Sequence, residues 1–573
     1  MDILDTLQSA EPTYVNVYIT LLRYVAPVLA LIILFRAIRP LVSFRREPEI
    51  WGWLCITGGE KVPLTHWETV IGRNKRCDVV LDVSTVSRNH AVLTRYDDGT
   101  WTVADADSTG GVFVNGKRIL IHPLEEEDVI TIGGVDMTLQ PISQKQEQRL
   151  AQLRTRASSF FSCFVSVMLL SLFQVLCCVG FLLAGDAMHA SDYLMGFGGI
   201  LVCQWLLFLF YLCIRRPAFE VETIAFFLCT MGMAAICTVC PGEAMKQVFA
   251  MVIGVTGYLI VGWSLRDLER AKVVRTVAAV AGILFLMATL VFGTEINGAK
   301  NWILIGGMSM QPSELSKICF VFVGASAMDR IMTKRNLILF IIYSVIVVIC
   351  LAAMSDFGTA LIFFCAFLVI AYLRSGSVGT IALACTSVGF AGVLAVKIAP
   401  HALRRFQNWR HIWEVPLAGG YQQTRALMCM ASGGLLGMGV NQGWMRNLFA
   451  AESDMVVATV CEEWGLLIVI MMVLSVAALG IFAVRCAAMG RSSFYTIGSC
   501  TAASILLMQA ILNALGTVDV LPLTGVTFPF LSNGGSSMIG AWGLLAFVKA
   551  ADTRQNASFA VKLAKRRGGK SDE

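Results

Sequence analysis

From residue 159 onward the chain is almost continuously apolar, and that feature commits it to the membrane. Runs near 159–184, 191–213, 219–239, 247–263, 275–293, 312–328, 336–353, 357–374, 379–398, 456–484, 493–515 and 535–551 are each close to the roughly 17–25 residues that cross a bilayer as a helix. A further run at 17–39 stands alone near the N-terminus. It lacks a basic start and a small-residue cleavage site, so it reads as an anchor helix and not a cleaved signal. The expected total is about thirteen spans. Composition agrees, with 56% hydrophobic and only 15% charged residues, against about 25% charged in soluble chains.

Charge sets the orientation. Asp2, Asp5 and Glu11 precede the first span, and Arg36, Arg39, Arg45 and Arg46 follow it. The positive-inside rule places the N-terminus outside and residue 45 in the cytoplasm. Arg215–Arg216, Arg266–Arg275, Arg330–Arg335, Arg374, Arg485–Arg491 and the tail Lys562–Lys570 then all fall inside. The largest outer segment, 399–455, holds no span but carries Arg404, Arg405, Arg410, Arg425 and Arg446. Basic residues there run against the rule, and an anionic ligand would explain them. The net charge of +6 sits in membrane-flanking loops and the tail, so nucleic acid is excluded as a partner. Most of the 18 cysteines lie inside apolar runs and pack as small apolar groups. Cys237 and Cys240 could form a redox or metal pair; with no second pair nearby they read as helix packing.

Residues 51–140 differ in kind. Short alternating runs (WGWLCIT, DVVL, AVLTRY, TWTVA, KRILI, DVITIG) are separated by turn residues, the pattern of an all-β sandwich. Gly72–Arg73, then Ser87-Arg88-Asn89-His90, then Asn115–Gly116 after Ser108-Thr109-Gly110-Gly111 resemble the forkhead-associated (FHA) domain. Arg73 can give a charge-assisted fork to phosphate oxygens. The resemblance implies phosphothreonine recognition by Arg73, Ser87, Arg88 and Asn115, with His90 holding the loop from beneath. Gly110 stands where the family often has asparagine, which removes a side-chain amide from the peptide site. A phosphate-blind docking domain is the alternative.

The membrane region carries its own ordered motifs. They are Asn297-Gly298-Ala299-Lys300-Asn301-Trp302-Ile303; Gln311-Pro312-Ser313-Glu314-Leu315; Asp356-Phe357-Gly358-Thr359; Tyr421–Gln422; Gly433–Gly434 with Gly437 and Gly439; Asp454 ahead of Glu462-Glu463-Trp464-Gly465; and Pro522 to Gly525 followed by Pro529-Phe530-Leu531-Ser532-Asn533-Gly534-Gly535-Ser536-Ser537. Together they resemble the SEDS family (FtsW/RodA/SpoVE type) over roughly residues 219–552. Departures are Asn301 for the family's arginine, Met354–Ser355 before Asp356, Arg425–Ala426, Glu452–Ser453 before Asp454, and Asn533.

The resemblance implies a polytopic α-helical membrane protein: a SEDS-type bundle of ten helices plus about three extra spans, with an inserted FHA sandwich. The expected order is an anchor (1–47), a cytoplasmic FHA domain (48–142), a linker (143–158), an extra helix pair (159–216), the SEDS domain (217–555) and a basic cytoplasmic tail (556–573). Carboxylates at a membrane edge are costly and default to functional roles. Asp454 matches the family's essential acid and is expected to be catalytic, as general base or as holder of a cation at a diphosphate; a helix N-cap is the structural alternative. Substrate contacts are expected at Lys300, Trp302, Gln311, Arg404, Arg405, Gln422, Arg425, Ser532, Gly534, Gly535 and Ser536. Glu314 and Lys317 are expected to pair on one helix face.

The implied function is peptidoglycan glycosyltransfer: polymerisation of lipid II onto an undecaprenyl-diphosphate glycan at the outer face of the bacterial cell membrane. The implied partners are a class B penicillin-binding protein and a phosphothreonine protein. A divalent cation is the one cofactor left open. A lipid II flippase and a non-catalytic scaffold for wall enzymes are the alternatives, and retention of activity without Asp454 would separate them.

Overall fold

The computed structural model describes residues 11–43, 50–58, 60–75, 77–96, 99–143, 146, 157–266, 268–296, 299–305, 308–327, 334–375, 378–398, 400–488, 492–555 and 557–560. Most of the expected linker 143–158, the tail from 561, Arg45, Arg46, Asn297, Gly298, Arg330 and Arg491 lie outside them.

Helix α1 (Pro12–Val42) matches the anchor. The β domain follows as β1 (Gly52–Ile56), β2 (Lys61–Leu64), β3 (Glu68–Gly72), β4 (Val79–Val80), β5 (Ala91–Arg95), β6 (Trp101–Asp105), β7 (Val112–Val114), β8 (Lys117–Ile119), β9 (Ile121–Leu124), β10 (Val129–Ile132) and β11 (Val135–Pro141). Two sheets, ordered β2-β1-β11-β10-β7-β8 and β4-β3-β5-β6-β9, enclose Leu54, Ile71, Leu93, Val103, Val112, Ile130 and Met137. Asn115 and Gly116 join β7 to β8 with φ of 51° and 77°, the two positive values that a tight hairpin of this hand needs. Arg95 lies over Trp51 and Trp67, 4.8 and 5.3 Å from the ring centroids.

The membrane part continues with α2 (Phe160–Ala184), α3 (Ala190–Cys213), α4 (Glu220–Val239), α5 (Ala244–Ser264) and α6 (Leu268–Phe292). Strands β12 (Thr294–Ile296), β13 (Ala299–Ile305) and β14 (Met308–Met310) then form a small sheet that no alternating pattern announces. Next come α7 (Pro312–Ala327), α8 (Lys334–Ala353), α9 (Phe357–Ser375) and α10 (Val378–Ile398). The outer segment folds as α11 (Pro400–Asn408) and α12 (Tyr421–Gly433), both too short to span. The chain closes with α13 (Val456–Trp464), α14 (Leu466–Ala487), α15 (Ser493–Thr517) and α16 (Gly535–Ala550). Among the described residues nine helices are long and apolar enough to cross a membrane. The anchor α1 packs on α2, α4 and α14, so the extra helices are built into the bundle. Helix α4 is buried through its whole apolar window.

One expected span is two helices. The run 456–484 breaks at Gly465, φ 89°, because the glycine-rich outer loop enters the break. Met438 N donates to Glu462 O (2.8 Å), Gly439 N to Glu463 O (3.0 Å) and Leu466 N to Gly434 O (3.0 Å).

At the inner end a buried charge network joins α4 to α16. Lys549 Nζ lies 3.1 Å from Glu222 Oε1, both side chains at 0% exposure. Arg554 bridges Asp552 (2.7 Å) and Glu220 (3.3 Å). Its Nη1 also approaches Pro40 O of α1 at 3.4 Å. Tyr211 and Tyr258 both donate to Glu222 Oε1. Lys317 pairs with Glu314 at 2.6 Å inside the bundle, as expected. Cys237 is buried on α4 and Cys240 follows it as the helix C-cap, both as free thiols, in keeping with packing.

Candidate active centre and phosphopeptide site

Asp454 ends a turn that three other segments clamp through its backbone. Asn513 Nδ2, in the last turn of α15, donates to Asp454 O (3.1 Å) and to Val526 O (2.8 Å). Ser532 Oγ donates to Ser453 O (2.7 Å), and Asn533 N donates to Glu452 O (2.8 Å). Thr459 Oγ1 reaches back to Ala451 O (2.7 Å). These bonds fix the backbone of the turn and do not use the Asp454 carboxylate. The N-cap of α13 is Met455, without a side-chain cap bond, so the capping alternative for Asp454 does not hold. Burial pushes the Asp454 carboxyl up to about 6, while the Arg405 guanidinium pulls it down and the Glu452 charge pushes it up.

Arg405 is exposed on α11, and its Nη1 donates to Thr524 O (2.9 Å). The same helix end is pinned by Trp409 Nε1 to Val520 O (3.2 Å) and by Arg410 N to the Asp519 carboxylate (3.1 Å). Gly525, at φ 70°, lies between acid and guanidinium. A methyl group there would sit 3.4 Å from Asp454 Oδ2 and 3.9 Å from Arg405 Nη2. A carboxylate of raised pKa beside a cation, at the membrane edge, can take a proton from a hydroxyl while the cation faces an anionic group.

The other expected residues divide. Ser532 belongs to this centre: it also accepts from Phe528 N (2.9 Å). Gly534 N meets Gln247 Oε1 (3.4 Å), while Gln247 Nε2 holds Ser532 O (3.2 Å). Arg404 is exposed beside Arg405 on α11. Gln422 and Arg425 lie on α12: Gln422 Nε2 donates to Phe449 O (3.2 Å), and Arg425 stacks over Tyr421 at 5.4 Å. Lys300, Gln311 and Ser536 are engaged elsewhere. Lys300 Nζ donates to Leu290 O (2.7 Å). Gln311 Nε2 and Asn301 Nδ2 both donate to Asp356 Oδ2 (3.0 and 3.1 Å), and Ser536 Oγ accepts from Gln311 N (3.0 Å). Trp302 lies half-buried on β13, its carbonyl accepting from Thr294. Gly535 opens α16. Asn513 and Gln247 were missed from the sequence; a lone Asn or Gln inside an apolar run is the signal that marks them. Among the described residues no group of three or more His, Cys, Asp or Glu side chains could hold a metal ion.

The FHA loops meet around His90. Ser87 N donates to His90 Nδ1 (2.9 Å), so the ring proton sits on Nε2 and is given to Gly111 O (3.0 Å). The ring thus ties the Ser87 loop to the 108–111 loop. Ser87 Oγ accepts from Thr109 N (3.1 Å), and Arg73 Nη1 donates to Ser84 O (3.3 Å). Arg73 and Arg88 are exposed, joined through Arg73 N to Ser87 O and Asn74 N to Arg88 O. Gly72 has no room for a side chain, since a Cβ would lie 2.3 Å from Arg88 O. Asn115 is engaged differently: its Nδ2 donates to Asp128 Oδ1 (2.7 Å) and its Oδ1 accepts from Val129 N (3.0 Å). Its amide holds the start of β10.

Residues 69–133 match the profile of the FHA domain, and residues 240–557 match that of the FtsW/RodA/SpoVE family, described as a cell cycle protein. The chain is 28% identical over 325 residues to the peptidoglycan glycosyltransferase RodA of Mycobacterium tuberculosis, covering 53% of this chain and 69% of that one. It is 27% identical over 350 residues to the probable peptidoglycan glycosyltransferase FtsW of Bacillus subtilis, covering 54% and 83%. Among solved structures, a chain of a peptidoglycan synthase complex that coordinates polymerization and crosslinking matches at 23% identity and a TM-score of 0.47, covering 58% of this chain and 96% of that one. The chain is a multi-pass membrane protein with an FHA domain inserted after its first helix, and it belongs to the FtsW/RodA/SpoVE family.

Proposed function

We propose that the chain is a peptidoglycan glycosyltransferase that polymerises lipid II at the outer membrane face, with Asp454 as its general base. The observation that carries this reading is a carboxylate raised to about 6 beside Arg405, at the mouth of the outer segment. Asp454 takes the proton of the acceptor sugar's 4-hydroxyl. That oxygen attacks the anomeric carbon of the growing glycan, and the bond to its lipid diphosphate breaks. Arg405 faces the released negative charge, Arg404 and Arg425 are the further candidate cations of the outer segment, and Ser532 holds the backbone next to the acid. A base of pKa about 6 is mostly ionised at neutral pH and still basic enough to share a proton in the transition state. Purified protein with lipid II tests it: Asp454→Asn is expected to yield no polymer while folding normally. Polymerisation at the wild-type rate would remove Asp454 from the mechanism and favour a scaffold.

The FHA domain, in this reading, recruits a phosphothreonine protein of the wall machinery through Arg73, Ser87 and Arg88, while a class B penicillin-binding transpeptidase crosslinks the product. Phosphate brings about two charges and strong acceptor oxygens to these donors. Calorimetry on the full chain should show phosphopeptide binding that Arg73→Ala abolishes. Equal affinity for the unphosphorylated peptide would leave a docking module.

A further inference from the structure

Strand β3 serves two sites with its two ends. Its C-terminal end, Gly72, leads into Arg73 and the phosphopeptide loops. Its N-terminal residue, Glu68, leaves the sandwich and meets the membrane domain. Ser492 Oγ donates to Glu68 Oε1 (3.1 Å), and Ser493 Oγ donates to Glu68 Oε2. Arg374, at the inner end of α9, lies within electrostatic reach of the same carboxylate. These partners are 424 and 425 residues away in the chain. Ser492 is 3% exposed and also caps α15 by accepting from Phe494 N (3.3 Å). The contact therefore seizes the first turn of a helix. That helix, α15, runs for 25 residues, about 37 Å. Its last turn carries Asn513, which holds the backbone of Asp454.

We propose that the contact of Glu68 with Ser492 and Ser493 is a working interface between the FHA domain and the membrane domain, and that α15 transmits its state to the Asp454 turn. For its catalytic half the proposal rests on the reading of Asp454 given above. A carboxylate shared by two hydroxyls near a guanidinium is a strong, directional contact. It lies at the opposite end of β3 from Arg73, about 17 Å away along the strand, so a phosphopeptide can bind while the domain stays docked. Helices α1 and α2 flank the domain in sequence, which keeps its local concentration high. The outer end of α15 is tied by side-chain bonds to two backbone carbonyls, so a shift of the helix cannot leave Asp454 in place.

Hydrogen exchange and lipid II polymerisation on the full chain in lipid nanodiscs test this, with wild type, Glu68→Ala, Ser493→Ala and the double variant. Glu68→Ala should speed exchange at residues 494–497 and at 451–455, and lower polymerisation about 2- to 30-fold. Ser493→Ala should act in the same direction, and the double variant should be no worse than Glu68→Ala. Phosphopeptide affinity should stay within about twofold, since the sites are separate. Unchanged exchange at 494–497, or additive losses in the double variant, overturns the interface. Faster exchange at 494–497 with none at 451–455 overturns the transmission. If wild type makes no polymer the catalytic reading fails, and the exchange data still decide the interface because they need no substrate.

Discussion

At the scale of single residues, the Asp454 carboxyl titrates where an enzyme of the outer membrane face would feel it. Burial raises it from an ordinary 3.8 to about 6. A base must be ionised, so polymerisation should fall on acidification with a midpoint near 6, read from a pH–rate profile. Glu452 contributes to the rise, so Glu452→Gln should move that midpoint down. The same shift has a stability side. Between pH 3.8 and 6 the folded chain binds more protons than the unfolded chain, so stability falls as pH rises and then stays low above 6. Asp454→Asn should therefore be more stable than wild type at neutral pH by of order 1–3 kcal/mol, read from thermal unfolding, while making no polymer. In the FHA domain, Gly110 has room: an added Cβ would meet His90 Cε1 at 3.5 Å and Thr85 O at 3.6 Å. Gly110→Asn should restore an amide near the peptide and tighten phosphopeptide binding about 2- to 12-fold, measured by calorimetry. Asp454, Arg73, Ser87 and His90 were legible because charge, hydroxyl and motif announce them. Asn513 was not, because its role is to hold carbonyls that lie 59 residues away and 13 residues on. The Asn115–Gly116 pair also serves the hairpin, and the Asn115 amide bonds Asp128 and Val129.

At the scale of elements, hydropathy located nearly every helix and missed what interrupts them. The apolar run around Gly465 looks continuous, yet the loop carrying Gly437 and Gly439 takes the carbonyls of Glu462 and Glu463. Only a backbone with φ near 89° and no side chain fits there, since a Cβ at Gly465 would lie 2.3 Å from Leu435 O. Gly465→Ala should cost about 1–3 kcal/mol or more and disorder the turn feeding Asp454; thermal unfolding and polymerisation should fall together. The sheet β12–β14 was invisible for a related reason. Its strands are three, seven and three residues long, too short for alternation to rise above the surrounding apolar sequence. Its position is set by Lys300, whose backbone N–H and Nζ bind Met354 O and Leu290 O.

Across the whole molecule, the anchor, the FHA sandwich and the helix pair α2–α3 are joined to the family bundle and not merely appended to it. Helix α1 packs on α2, α4 and α14, and Arg554 beyond α16 reaches Pro40 of α1. The membrane class and the inside placement of the FHA domain were readable from charge and length, whereas nine helices among the described residues, and not about thirteen, are long and apolar enough to cross. The wrapping was not, because it depends on buried ion pairs between residues hundreds apart. Lys549→Ala should leave Glu222 buried without its cation and cost about 3–5 kcal/mol; Lys549→Met with Glu222→Gln should recover most of that loss in thermal unfolding. The same pair has a consequence during biosynthesis. Glu222 and Lys549 are separated by 327 residues, so at about 5–20 residues per second the ribosome takes about 16 to 65 s to supply the lysine. Throughout that interval α4 holds two carboxylates, Glu220 and Glu222, whose cations have not yet been made. The inner end of α4 therefore cannot close as the folded bundle does until its final helix arrives.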